Sequence, residues 1–227
     1  MVSRRAALSR SRQDYLKALY RLGRTEPAIS TSRLAAQLGV AAPSVTNMLR
    51  RLAGERLVRH RAREGAWLSA RGEREALRIV RRHRILETFL VRVLGLDWSE
   101  VHEDAEILEH HVSERVLRAI DRLMRHPRED PHGHPIPDAS GRLRRRRLQP
   151  LARLPVGRSA IVREIQDDDR RRMARWRAAG LVPGARVRMR SARLDDDVFE
   201  IEVGRRRLSV GSEGLAGILI QPARRAS

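Results

Sequence analysis

Ser32–Ser69, SRLAAQLGVAAPSVTNMLRRLAGERLVRHRAREGAWLS, decides the fold. Thr31 or Ser32 can cap a short helix, SRLAAQLG, that Gly39 closes. Pro43 suits the first turn of a second helix, PSVTNMLRRLAGE. Val45, Met48, Leu49 and Leu52 recur at helical spacing and point inward, which leaves Ser44, Asn47, Arg50 and Arg51 outside. Two short helices joined by a tight turn, the second small and polar at its start, make a helix-turn-helix. LVRHR and AWLS then alternate as two strands around Arg63–Gly65, a hairpin in the position of a wing. In such a unit the start of the second helix offers side chains to base edges, here Pro43, Ser44 and Asn47. Arg50, Arg51, Arg61 and Arg63 are candidates for phosphate contacts.

Upstream, residues 11–23 read as an amphipathic helix with Tyr15, Leu16, Leu19, Tyr20 and Leu22 on its apolar face. Charge supports a polyanionic partner. The 227-residue chain carries a net +20, distributed as +11 over residues 1–80, −3 over 81–140 and +12 over 141–227. Lys17 is the only lysine, so arginine by itself reflects a compositional preference, and many arginines can be simply solvated. The chain has no cysteine, which excludes disulfides, zinc ribbons and thiol catalysis and fits a reducing cytosol. No apolar run reaches the ~20 residues of a membrane span, and the basic N-terminus lacks a signal peptide's apolar core. A cytoplasmic location follows as an expectation.

Downstream, a long helix is expected from about Arg71 to Leu94, then two shorter ones, SEVHEDAEILEHHV and SERVLRAIDRLM. His83 and Glu87 lie four apart on the first. His102, Glu106, Glu109 and His110 fall at i, i+4, i+7 and i+8 on the second, so one face carries all four. Imidazole and carboxylate at these spacings suit a divalent first-row metal. HEDAE departs from the zinc-protease pattern HExxH because Glu106 stands where the second histidine belongs. The surplus apolar residues of these helices suit a two-fold partner. HPREDPHGHPIPDASG reads as a loop and GRLRRRRLQP as a charged, mobile linker. From about Leu151, short alternating runs separated by glycine, with one helix at DDRRRMARWRAAG, predict a small SH3-like β-barrel. The fold class is therefore mainly α with a β-barrel tail. Its parts are a winged helix-turn-helix over 1–76, a helical dimerisation and metal-binding domain over 77–141, a linker over 142–150 and an SH3-like domain over 151–227.

RRHRILETFL, VHEDAEILEHHVSE and PHGHPIP, in that order behind a winged helix, resemble the diphtheria toxin repressor family of metal-dependent transcriptional regulators. The resemblance covers nearly the whole chain. It implies two neighbouring metal sites per subunit. One is His83, Glu87 and His102, completed in some members by the SH3-like domain, where Asp169 and Asp168 match by position and Arg172 falls where a further ligand is expected and cannot ligate. The other is Asp14, Glu106, Glu109 and His110. Iron-type members carry Met and Cys where this chain has Asp14 and Glu106, and manganese-type members carry Asp and Glu. Lys17 stands where some manganese regulators place a glutamate ligand. The resemblance implies a cytoplasmic, homodimeric, Mn²⁺-responsive repressor of metal-uptake genes that binds operator DNA, with Fe²⁺ as the alternative metal. A metal-dependent hydrolase on the same ligands would need a general base or nucleophile outside the set, and none is evident. An arginine-rich nucleic-acid binder with an incidental metal cluster would bind DNA regardless of chelator.

Overall fold

The computed structural model describes residues 8–61, 63–144, 146–166 and 169–223. The chain divides into two units, residues 1–83 with 137–143, and residues 84–136 with 144–227.

The first unit holds α1 (Arg10–Leu22), α2 (Thr31–Leu38), α3 (Ala42–Gly54), the strands β1 (Val58–Arg61) and β2 (Gly65–Leu68), and the start of α4 (Ala70–Arg92). The cap of α2 is Ser30, one residue before the expected pair, and its hydroxyl accepts the Arg33 N–H at 3.1 Å. Gly39 ends the helix in the left-handed region, φ +65°. Pro43 sits in the first turn of α3, where its missing N–H costs nothing. Leu34, Val45, Leu49 and Leu52 are wholly buried with Leu16 and Leu19 of α1. Truncating one of those leucines to alanine would cost about 2–5 kcal/mol. β1 and β2 pair antiparallel with Arg61 opposite Gly65, so the expected hairpin forms. Arg12 of α1 pairs with Glu55 after α3 at 3.1 Å, tying α1 to the end of α3.

The second unit holds the rest of α4, then α5 (Val101–His111), α6 (Glu114–Leu123) and a six-stranded antiparallel sheet. The strands are β3 (Gln149–Pro150), β4 (Ser159–Ile165), β5 (Arg186–Arg193), β6 (Val198–Val203), β7 (Arg206–Val210) and β8 (Ile218–Pro222), in the order β3-β8-β4-β5-β6-β7. The helices α7 (Arg170–Ala178) and α8 (Ser212–Leu215) interrupt them. Ile85, Leu86, Leu90, Val101, Ala105 and Leu117 form the helical core. The sheet's core is Val162, Val187, Met189, Ile201, Ile218 and Ile220 with Met173 and Trp176 of α7.

These two layers are more closely joined than the sequence suggested. Trp98, from the α4–α5 connection, is buried in the sheet's core. Arg170 pairs with Glu103 at 2.7 Å, and Arg177 pairs with Asp97. The arginine-rich segment expected to be a mobile linker is tethered at Arg146, which bonds the Gly133 carbonyl at 3.3 Å and the Glu129 carboxylate. The 126–136 loop docks on β4, with the Ile165 N–H donating to the His132 carbonyl at 2.9 Å. Gly133 makes this approach possible, because a Cβ there would lie 1.9 Å from the Arg163 carbonyl oxygen.

Candidate metal centre

α4 presents His83 and, one turn later, Glu87, both buried on one face of the helix. Glu87 is only 3% exposed, and a carboxylate so buried must be paired. Its partners come from two directions. Glu87 Oε1 lies 3.1 Å from His102 Nδ1 on α5, and Oε2 lies 3.9 Å from His132 Nδ1 in the 126–136 loop. The other ring nitrogen of His102 faces Glu106 Oε1 at 3.4 Å. On the next turn of α5, Glu109 is 1% exposed, and its Oε1 lies 3.5 Å from His110 Nε2. Asp14 sits half-buried on α1.

These contacts test whether a cation suits the residues present. His102 presents one ring nitrogen to each of two carboxyl groups, Glu87 and Glu106, so imidazole and carboxylate donors converge from α4 and α5. His132 Nε2–H donates to the Trp98 carbonyl at 2.8 Å, which turns Nδ1 toward Glu87. A histidine held by a backbone carbonyl through one nitrogen, with the other aimed at a carboxylate, is oriented as metal-binding histidines are. The donors therefore fit a divalent cation.

Asp130, His132 and His134 lie in the loop expected from the sequence, the two histidines within PHGHPIP. Their donor atoms lie within 4.8 Å of one another. Asp130 Oδ1 accepts the backbone N–H groups of His132 and His134, at 2.9 Å each. Oδ2 lies 3.1 Å from His134 Nδ1 and 3.4 Å from Arg84 Nε. Burial alone would raise the Asp130 carboxyl, but the facing His134 and Arg84 outweigh it and hold the group below the ordinary carboxylate range. The signal in the sequence was the D-P-H-G-H spacing, two histidines at alternate positions after an aspartate.

Asp169 is accounted for differently. It is the N-cap of α7, with Oδ1 accepting the N–H of Arg171 at 2.8 Å and of Arg172 at 3.2 Å. The Arg172 bond, opposed by desolvation and reinforced by the Arg171 bond, holds its carboxyl below the usual range. Asp168 lies outside the described residues. The buried carboxylate of this region is Glu164, at a bulge in β4 beside the strand residue that holds His132. In the sequence it was hidden inside the strand run IVREI.

On the first unit, Pro43, Ser44, Asn47, Arg50 and Arg51 are exposed on α3. Arg51 pairs loosely with Glu55 at 3.8 Å. In the wing, Arg61 pairs with Glu64 at 3.1 Å and lies over the Trp67 ring at 5.8 Å, and Arg63 takes a positive φ of 66° at the tip.

Residues 7–66 match the model of the iron dependent repressor N-terminal DNA binding domain, and residues 69–138 match that family's metal binding and dimerisation domain. Residues 149–222 match the FeoA domain. The chain is 32% identical over 187 residues to the iron-dependent repressor IdeR of Mycobacterium leprae, covering 76% of this chain and 80% of the relative. The chain belongs to the iron-dependent repressor family. Its other relatives include the transcriptional regulator MntR of Bacillus subtilis, 32% identical over 120 residues, covering 53% of this chain and 84% of the relative. Among solved structures, a manganese-dependent transcriptional repressor in complex with manganese matches with a TM-score of 0.87 and 34% identity, over 93% of this chain and 100% of the other. The protein is thus a metal-responsive DNA-binding repressor and not an enzyme. The winged helix, helical domain and β-sheet tail agree with the fold read from the sequence. No helix among the described residues is long and apolar enough to cross a membrane.

Proposed function

We propose that this repressor responds to Mn²⁺, holds two ions per subunit and controls metal-uptake genes as a cytoplasmic homodimer on operator DNA. The donor chemistry carries the choice of metal. The candidate ligands are carboxylate oxygens and imidazole nitrogens with no sulfur, in a chain without cysteine. Oxygen-rich sets suit Mn²⁺, whereas thiolate or thioether donors suit softer ions. The first site takes His83, Glu87 and His102, and His132 is a further donor on the Glu87 side. We assign the C-terminal domain's carboxylate to Glu164 in preference to Asp169, whose oxygen caps α7. The second site takes Asp14, Glu106, Glu109 and His110. We keep 1–76, 77–141 and 151–227 as the working parts of the chain, with 142–150 between them.

A divalent cation bound by Asp14 and the α5 carboxylates would supply the charge that lets those carboxylates share one centre. α1 carries Asp14 on one side and on the other buries Leu16 and Leu19 in the helix-turn-helix core. Holding Asp14 therefore holds the frame of α3. Like charges on Asp14, Glu106 and Glu109 otherwise repel, and the DNA-binding unit loses the orientation in which paired recognition helices enter successive major grooves. Exposed Ile107, Val116 and Leu123 on α5 and α6 supply the apolar surface for the second copy.

Fe²⁺ is the second reading, favoured because the iron-dependent relative covers more of this chain than MntR of Bacillus subtilis does. DNA-binding affinity at fixed salt, titrated with Mn²⁺, anaerobic Fe²⁺ and Zn²⁺, separates the two. Strong activation by Mn²⁺ that chelator reverses supports the proposal. Binding equally tight without metal refutes it.

A further inference from the structure

We propose that the outer face of the C-terminal sheet is a second DNA-contacting surface, one that takes the phosphate backbone of duplex DNA. Alternation along β5 decides which side chains form it. Val187 and Met189 are wholly buried, so Arg186, Arg188 and Arg190 face outward. Strand register extends the row. Arg186 is opposite Ile161, Arg188 is opposite Ser159 and Glu202, and Glu202 is opposite Arg207. Arg163 of β4 joins the same side, bonded to Gln221 at 3.0 Å. Five guanidinium groups therefore share this face with two carboxylates, Glu200 and Glu202.

One of those carboxylates is already engaged, since Glu202 lies 3.6 Å from Arg190. Among the described residues, Arg186, Arg188 and Arg207 pair with no carboxylate. β5, β6 and β7 spread them over about 10 Å at ordinary strand spacing. The loop acids gather elsewhere, at the β5–β6 turn, where Asp196 takes Arg193 at 3.5 Å. Because Lys17 is the chain's only lysine, an arginine on a surface says little. The segregation of charge is the informative feature.

The face's chemistry narrows the occupant. It carries no aromatic ring, because Phe199 and Trp176 point into the core, so it offers no stacking platform for single strands. It has no large apolar anchor of the kind protein interfaces use. Planar guanidinium groups on a pleated surface suit phosphate oxygens, and the chain already binds duplex DNA.

The test uses the full-length protein with a duplex selected from random-sequence DNA by the wild type in Mn²⁺, with and without flanking base pairs. The variant combines Arg186→Gln, Arg188→Gln and Arg207→Gln. A control, Arg171→Gln with Arg175→Gln on α7, also lowers the charge but leaves the face intact. Each phosphate contact contributes about 0.9 to the slope of log affinity against log salt. The slope should fall by roughly two to three for the face variant on flanked DNA, fall less on trimmed DNA and stay unchanged for the control. The slope is read at saturating Mn²⁺ and in chelator, so failure of the metal reading stays distinguishable from failure of this one. A wild-type slope in a face variant that unfolds at the wild-type temperature overturns the proposal. An unchanged slope with lost binding to phosphatidylserine vesicles assigns the face to a membrane surface and overturns it too.

Discussion

Asp14 is the residue on which the proposed switch turns, because it is the only candidate ligand on the helix that packs against the recognition helix's core. Asp14→Ala should leave the fold and basal DNA binding intact. The Mn²⁺-dependent gain in affinity, about 5–150-fold for coupled sites in general, should collapse toward one. Gel-shift titration with and without Mn²⁺ reads this directly, and an undiminished gain would remove Asp14 from the site. Lys17 lies three residues further along the same helix and is buried. Replacing it by glutamate puts a carboxylate in place of a cation beside Asp14. Lys17→Glu is therefore expected to raise the number of Mn²⁺ ions bound per subunit, measured by equilibrium dialysis. An unchanged stoichiometry would show that this position does not limit metal occupancy.

At the scale of elements, the cap of α7 sets up a test between a structural carboxylate and a metal ligand. The Asp169 carboxyl is depressed because the ionised form accepts two backbone N–H bonds. Its stabilising contribution is therefore complete above the unfolded value near 3.8 and is lost as pH falls through the lower folded value. Asp169→Ala should lower the thermal midpoint at neutral pH, and the difference from wild type should shrink below about pH 4. If Asp169 is only a cap, the Mn²⁺ midpoint will not move, and Glu164→Gln will weaken it instead. The opposite pattern would restore Asp169 as the ligand. This contrast also marks what the sequence could reveal. The winged helix was legible because its apolar period, Pro43 and Gly39 are local signals. The shared α5 face was legible because helical spacing alone aligns its four candidate ligands. Asp130 and His132 were not, because a loop has no period and their proximity to Glu87 depends on Gly133 docking against β4. Nor was the burial of Trp98 in the sheet's core, a contact between segments far apart in sequence.

On α5 and α6, Ile107 is 56% and Leu123 65% exposed, an arrangement that calls for a partner surface. Leu123→Asp should weaken self-association by at least about tenfold, or 1.4 kcal/mol, in sedimentation experiments. Because α6 faces solvent there, the variant's circular dichroism should remain that of the wild type. A variant that stays dimeric at the same concentrations would move the interface elsewhere.

At the scale of the whole molecule, the charge pattern and the metal reading make one argument. An acidic middle of −3 lies in sequence between basic ends of +11 and +12, so metal and DNA are cations and polyanions taken up by different parts of one chain. If metal works by selecting the DNA-competent arrangement, the two bindings are thermodynamically linked, and linkage is reciprocal. The factor by which saturating Mn²⁺ tightens DNA binding must equal the factor by which saturating DNA tightens Mn²⁺ binding. Calorimetric Mn²⁺ titrations with and without duplex, at one salt concentration, measure the second factor. The expected result is a Mn²⁺ dissociation constant lowered by the same ratio found for DNA. Repeating both titrations with Mg²⁺ and at higher salt distinguishes a metal-selected arrangement from mere neutralisation of the acidic middle, because neutralisation would be reproduced by any divalent cation and would fade with added salt. A Mn²⁺ affinity indifferent to DNA would break the linkage and leave the histidine–carboxylate cluster as a structural site.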